Sequence, residues 1–324
     1  MIDRRALLAA GLAASVGKSL SATAARAAEA GILRIGYQKN GILVVAKQQG
    51  VIEERLKPLG ISVRWSEFSF GPPLLEALGL GAIDFGQTGD APPVFAQAAG
   101  ADLVYAAAQP GGGSGSAILL PVGSPVKTLA DLKGRRVAFA KGSSAHNFTV
   151  AALESAGLGY GDIEPVLLGP ADAAAAFARG SVDAWTVWDP YYAIAQKAPG
   201  TRILVEVSQI TRTNNYFLAN RTFATQQGAT LQAVIDVLGQ VAVWCEANRP
   251  DVAAALSKVT NVPLDASRRA VDRITFTIAP MSAEVVAEQQ RVADRFLGLG
   301  LIAKPVRIAD ALWTARGGAP ASKG

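Results

Sequence analysis

The chain has 324 residues, half of them hydrophobic, with 31 Lys+Arg against 26 Asp+Glu and a formal net charge of +5. That apolar share excludes a disordered polyelectrolyte, and no basic run interleaved with aromatics is present, so the usual footprint of nucleic-acid binding is missing. One cysteine excludes an internal disulfide, and one histidine excludes a multi-His or multi-Cys zinc centre.

The N-terminus reads as a secretory signal over residues 1–27. Asp3-Arg4-Arg5 precedes an apolar run from Ala6 to Val16, and a small-residue stretch follows it. Ala25-Arg26-Ala27 offers a cleavage site, with Ala28-Glu29-Ala30 as a second. The apolar run is too short to span a bilayer, and Arg4-Arg5 leaves the export route open between the general and twin-arginine pathways. The leader holds four of the basic and one of the acidic residues, so the remainder carries 27 against 25, a formal +2. Cys245 lies far from the leader, so no lipid anchor is expected. These features point to a soluble, monomeric protein held in a Gram-negative periplasm.

Leu33-Arg34-Ile35-Gly36-Tyr37 predicts a first strand, followed by a helix over 42–56. Ile61-Ser62-Val63-Arg64-Trp65 alternates with period two, as a half-buried strand does. Gly71-Pro72-Pro73 opens a helix running to Leu80, with proline where a missing N–H costs nothing. Ile83-Asp84-Phe85-Gly86 is a short strand, Ala91-Pro92-Pro93 starts the next helix, and Leu103 to Ala108 is a further strand. This β-α-β-α-β order predicts a parallel sheet covered by helices.

The pattern stops at Gly111-Gly112-Gly113-Ser114-Gly115, which reads as a crossing to a second lobe. A second α/β series follows, with strands over 117–120, 137–140, 164–168, 182–187 and 203–205 and helices over 144–156 and 171–178. Near Thr213 to Leu218 the chain is expected to cross back, and from Ala229 it reads as helical through a last helix over 308–315. The prediction is an α/β protein of two lobes, 31–112 plus 217–324 and 113–216, joined by a two-segment hinge. A hinged cleft of that kind encloses a ligand by domain closure.

Catalytic patterns are missing. His146 is the only histidine, and no G-x-S-x-G elbow presents a serine to it. Neither dinucleotide nor P-loop glycine motif opens a helix after a strand. Asp183 and Asp189 stand among two tryptophans and Pro190, which suggests a wall rather than a carboxylate pair. Cys245, in Val241-Ala242-Val243-Trp244-Cys245, reads as a buried inert thiol. No enzyme activity, cofactor or metal is expected.

Two strand-to-helix turns suit an oxyanion. Ala140-Lys141-Gly142-Ser143-Ser144-Ala145-His146-Asn147 offers glycine, two hydroxyls and the free N–H groups of a helix start. Either serine could instead serve only as an N-cap. Gly86-Gln87-Thr88-Gly89-Asp90-Ala91 repeats the arrangement, with Thr88 as hydroxyl donor and Gly89 and Asp90 as N–H donors. A carboxylate repels an anion, so Asp90 has N-capping as its alternative role. Gly71 begins a third helix, Gln38 follows the first strand with an amide donor, and Lys39 beside it is either a charge at the cleft or a solvated lysine. Trp185, Trp188, Tyr191 and Tyr192 form the densest aromatic group around Asp189, suited to an aliphatic or amine-bearing tail. His146 and Asn215, at the return crossing, complete the candidate ligand-binding set. No arginine pair adjoins these segments, which disfavours a doubly charged anion.

Gly36-Tyr37-Gln38-Lys39, Glu67-Phe68 with Gly71-Pro72, Gly79 to Gly86, Phe95 to Gly100, Lys141-Gly142-Ser143-Ser144 and Trp185 to Pro190 together resemble the aliphatic sulfonate-binding proteins of ABC importers. The resemblance runs from about Leu33 to Leu312. It implies the type II periplasmic-binding-protein fold, a ligand between two lobes, and docking on an ABC permease at the inner membrane for sulfur acquisition. It places Gln38, Thr88 to Asp90, Gly142 to Ser144, Trp185 and Asp189 in or beside the cleft. Related families bind taurine, nitrate or thiamine precursors, and enzymes such as desulfinases share the fold, so these remain alternatives.

Overall fold

The computed structural model describes residues 31–111 and 114–314. The expected signal peptide, glycines 112 and 113 of the first crossing, and residue 315 of the last expected helix lie outside the described residues.

Ten strands are present among the described residues: β1 (Ile32–Tyr37), β2 (Ser62–Glu67), β3 (Phe85–Thr88), β4 (Leu103–Gln109), β5 (Ser116–Leu120), β6 (Arg136–Phe139), β7 (Glu164–Leu167), β8 (Ala184–Trp188), β9 (Arg202–Glu206) and β10 (Asn215–Asn220). They form two sheets of the same design, β2-β1-β3-β10-β4 and β7-β6-β8-β5-β9. In each, the strand in fourth place runs antiparallel to both neighbours, and the other pairs are parallel. The antiparallel strand is in each case the one by which the chain enters or re-enters that lobe. This is the two-lobed α/β architecture the sequence predicts.

Helices cover the sheets. The single helix expected over 42–56 is two, α1 (Gly41–Gln49) and α2 (Val51–Leu56), because Gly50 takes a φ of +66° and returns its N–H to the Lys47 carbonyl at 3.3 Å. That left-handed turn ends a helix at little cost only when glycine occupies it. The remaining helices are α3 (Gly71–Gly79), α4 (Ala91–Ala98), α5 (Ser144–Ser155), α6 (Pro170–Ala178), α7 (Tyr191–Ala195), α8 (Arg221–Gln226), α9 (Gly228–Ala247), α10 (Arg249–Thr260), α11 (Leu264–Asp272) and α12 (Ala283–Gly298). The last expected helix is only a 3₁₀ turn, Ile308–Ala311.

The first sheet is buried on both faces. Ile35, Phe85 and Phe217 pack on one side with α1 and α9, and Tyr105, Tyr216 and Leu218 pack on the other with α3 and α12. Phe217 and Leu218 are neighbours in β10 yet belong to opposite cores, as the period of two demands. Burying each such side chain contributes about 1.5–3 kcal/mol. Helix α9 is long and apolar enough to cross a membrane by length and composition. Its Leu231, Val234, Leu238, Val241 and Cys245 are spent on the core of this lobe instead.

The two crossings run side by side. Gly111 donates its N–H to Asn214 Oδ1 at 2.9 Å, and the Ser114 and Ser208 hydroxyls meet at 2.8 Å. A Cβ on Gly111 would collide with the Thr213 carbonyl, so close approach of the hinge strands is what glycine permits here. The expected return boundary between residues 216 and 217 falls inside β10, which begins at Asn215.

Candidate functional site

A cavity of about 180 Å³ lies between the lobes. Its lining follows the carboxyl ends of the parallel strands in both sheets and the amino ends of the antiparallel β5 and β10. That is where open α/β sheets leave a crevice. Of the residues singled out from sequence, Gln38, Gly71, Thr88, Gly89, Ser143, Ser144, Asp189 and Asn215 line it.

The start of α5 and the start of α4 approach each other across this space. Gly89 sits against Ser144, so closely that a Cβ there would collide with the Ser144 hydroxyl. Ser143 occupies the N-cap position of α5 in extended conformation, and its hydroxyl donates to the Ala140 carbonyl at 2.7 Å rather than capping the helix. The N–H groups of Ser144 and Ala145 fall in the first turn, where the helix offers them no acceptor. Thr88 Oγ1 donates to the Gly89 carbonyl at 3.2 Å, and Gln38 Nε2 donates to the Gln87 carbonyl at 3.1 Å. Gln87 donates to Gln109, which donates to the Thr275 carbonyl, so the cavity wall is cross-braced by amides.

Asp90, Gly142, His146 and Trp185 sit elsewhere, each for an identifiable reason. Asp90 is buried behind the cavity; its Oδ1 accepts from the Ala91 N–H at 2.7 Å and its Oδ2 from Asn147 Nδ2 at 2.7 Å. Burial raises its pKa, and the hydrogen bonds from Asn147, Ala91 and Ser144 work against that rise. Its carboxylate therefore braces α4 against α5. The Gly142 N–H, expected to be free, donates to His146 Nδ1 at 3.2 Å. His146 is 1% exposed and lies among Phe139 and Tyr160 of one lobe and Phe95 and Phe296 of the other. Burial, with a smaller contribution from Lys141, lowers its pKa to about 4. Trp185 packs on Phe177 in the core of the second lobe, because alternation along β8 turns it towards α6. Trp188, at the strand's carboxyl end, lines the cavity in its place. Lys39 pairs with Glu67 at 3.1 Å, and both side chains are about half exposed.

One charged cavity residue was not anticipated. Arg273 follows α11, lines the cavity, and pairs with Asp189 at 3.2 Å. Asp189 also accepts from the Ala193 N–H at 3.0 Å. Burial pushes its pKa up to about 6 despite the opposing Arg273 charge. Sequence carried a faint signal: Arg273 continues the buried stripe of Ala266 and Ala270 at helical spacing, where a charged residue needs a partner. Asp183 is engaged elsewhere, with Arg136 at 3.2 Å. Cys245 is fully buried, and burial raises its pKa to about 12, as an inert thiol requires. Among the described residues no group of three or more potential metal ligands occurs.

Comparison with known proteins places this geometry. Residues 20–253 match the family described as NMT1/THI5 like. The chain is 45% identical over 283 residues to a putative aliphatic sulfonates-binding protein of Escherichia coli, covering 87% of this chain and 88% of that one. The alkanesulfonate-binding protein SsuA from Xanthomonas axonopodis pv. citri, solved bound to MOPS, superimposes with a TM-score of 0.83 at 42% identity, over 87% of this chain and 98% of that one. The desulfurization enzyme DszB, at 16% identity and a TM-score of 0.63 over 87% of this chain and 96% of its own, shares the fold alone. The chain belongs to the NMT1/THI5-like family and has the type II periplasmic-binding-protein fold.

Proposed function

We propose that this chain is the exported solute-binding component of an ABC importer, capturing aliphatic sulfonates in the cleft and handing them to an inner-membrane permease. The observation that carries the reading is the pairing of two helix starts, at Gly89 and Ser144, over a cavity whose charged lining residues are Asp189 and Arg273. Those two cancel, so the cavity carries no formal net charge. Neutral donors can hold a monoanion there, whereas a dianion would enter without a compensating cation. Each charge-assisted hydrogen bond contributes about 1.5–3 kcal/mol net. Three or four of them, less the cost of association, give affinity near micromolar, about −8 kcal/mol. Trp188, Val207 and Ile274 supply apolar wall for a short tail. The similarity to proteins named for aliphatic sulfonates supports the same ligand class.

The wider reading follows from the same features. Residues 1–27 direct export to the periplasm, where the protein works as a monomer without nucleic-acid partners or catalysis. The sheet β2-β1-β3-β10-β4 with its helices forms one lobe and the sheet β7-β6-β8-β5-β9 with its helices the other, and their closure over ligand presents the surface that the permease recognises. Calorimetric titration with butane-1-sulfonate, taurine, nitrate and sulfate tests it. Butane-1-sulfonate is expected to bind at about micromolar Kd, with nitrate and sulfate at least about tenfold weaker. No heat of binding with any sulfonate would overturn the ligand class.

A further inference from the structure

Arg273 belongs to the first lobe, and the groups its guanidinium holds all belong to the second. Nη1 lies 3.3 and 3.2 Å from the two Asp189 carboxylate oxygens, at the end of β8. Nη2 donates to Gln196 Oε1 at 2.8 Å, just past α7. The planar face covers the Tyr192 ring with Cζ 3.8 Å from its centroid. Tyr192 is itself fixed by donating its hydroxyl to Glu206 at 2.7 Å. The side chains of Arg273 and Asp189 are only 16% and 9% exposed, so the ion pair is largely withdrawn from water. Around it, Ala193 of α7 packs with Val262, Ala266 and Ala270 of the first lobe, and Lys197 reaches Asp265 at 2.6 Å. The same arginine also lines the cavity.

We propose that Arg273 is the positioning residue that couples occupancy of the cleft to closure of the lobes. The inference rests on the reading of this chain as a cleft-closing binding protein. Its fork of donors, its charge and its flat face are used at once, each on a different residue of the opposite lobe. Any opening motion that separates α11 from α7 must break all three contacts together. Such a contact acts on how long the closed form lasts, hence on ligand release, and leaves the encounter of ligand with the open cleft unaffected. Lysine keeps the charge but supplies neither the second donor in a fixed plane nor the stacking face.

The test compares wild type, Arg273→Lys and Gln196→Ala by stopped-flow kinetics with butane-1-sulfonate and by resonance energy transfer between dyes on the two lobes, with and without that probe. Gln196 lies outside the cavity lining, so an effect there cannot be lost ligand contact. Arg273→Lys is expected to raise the release rate about tenfold and Gln196→Ala about threefold, with association rates within about a factor of two of wild type. Both variants are expected to shift the lobe separation towards open at subsaturating probe and without it, and their combination to fall short of additive. Release rates and lobe separation equal to wild type in both variants would overturn the proposal. If wild type itself fails to bind the sulfonate, the ligand assignment fails. The ligand-free separation still decides on Arg273: a shift in Arg273→Lys upholds it, and no shift ends it.

Discussion

At the scale of single residues, His146 carries the clearest consequence. Its imidazole is neutral in the folded protein, with Nδ1 accepting from Gly142 and Nε2 buried without a partner. A histidine whose folded pKa is about 4, against 6.5 for the free side chain, binds a proton in the unfolded chain before it does so in the native one. Its contribution to stability is therefore complete above about pH 6.5 and is lost progressively as the pH falls towards 4. The whole loss is on the order of 3 kcal/mol. Replacement by phenylalanine keeps an aromatic ring in the cage and removes the titration. Urea unfolding at a series of pH values is expected to show His146→Phe gaining on wild type steadily from pH 7 to pH 4. Parallel stability curves would show that the cage does not hold the histidine neutral.

At the scale of elements, the strand-to-helix turns were legible and the identities of the groups they expose were only partly so. Glycine, serine and threonine after an apolar run announce a helix start with open N–H groups, and Gly89 and Ser144 do line the cavity. Which neighbours share that exposure depends on side-chain direction, which local pattern leaves open. Asp90 turned back to its own helix start and to Asn147, and the Gly142 N–H was consumed by His146. Trp185 and Trp188 are separated by alternation along β8, a rule that could have been applied from sequence had the strand ends been known. Arg273 left only a faint signal, its helical spacing after Ala266 and Ala270, because α11 comes to the cleft through tertiary packing. The contact between the two turns gives a prediction at this scale. Gly89→Ala adds a methyl that must displace the Ser144 side chain. Titration is expected to show a loss of about tenfold in affinity for butane-1-sulfonate, equivalent to about 1.4 kcal/mol. Partial recovery is expected when Ser144→Gly makes room. Unchanged affinity in Gly89→Ala would mean that the two helix starts do not act together.

At the scale of the whole molecule, the strand order of both sheets follows from the chain passing from β4 in one sheet to β5 in the other and returning from β9 to β10. Among the described residues, two seams then join the lobes on either side of the cavity. One is the Arg273 cluster against α7. The other sets α5 against α4 and α12, through Asn147 between Asp90 and Arg295, Arg295 on Glu154 at 3.0 Å, and His146 among Phe95 and Phe296. Much of this joining is polar, and a polar seam can part without exposing a large apolar surface. That suits lobes that must open to release a ligand and close to hold one. The central claim is that a sulfonate is held by the helix starts between these lobes, and the crystal structure with butane-1-sulfonate tests it most directly. The account predicts the sulfonate oxygens within hydrogen-bond distance of the Ser144 or Ala145 N–H, with the tail directed towards Trp188 and Ile274 and both seams closed. A sulfonate seated outside the cleft, or within it but away from both helix starts, would contradict it.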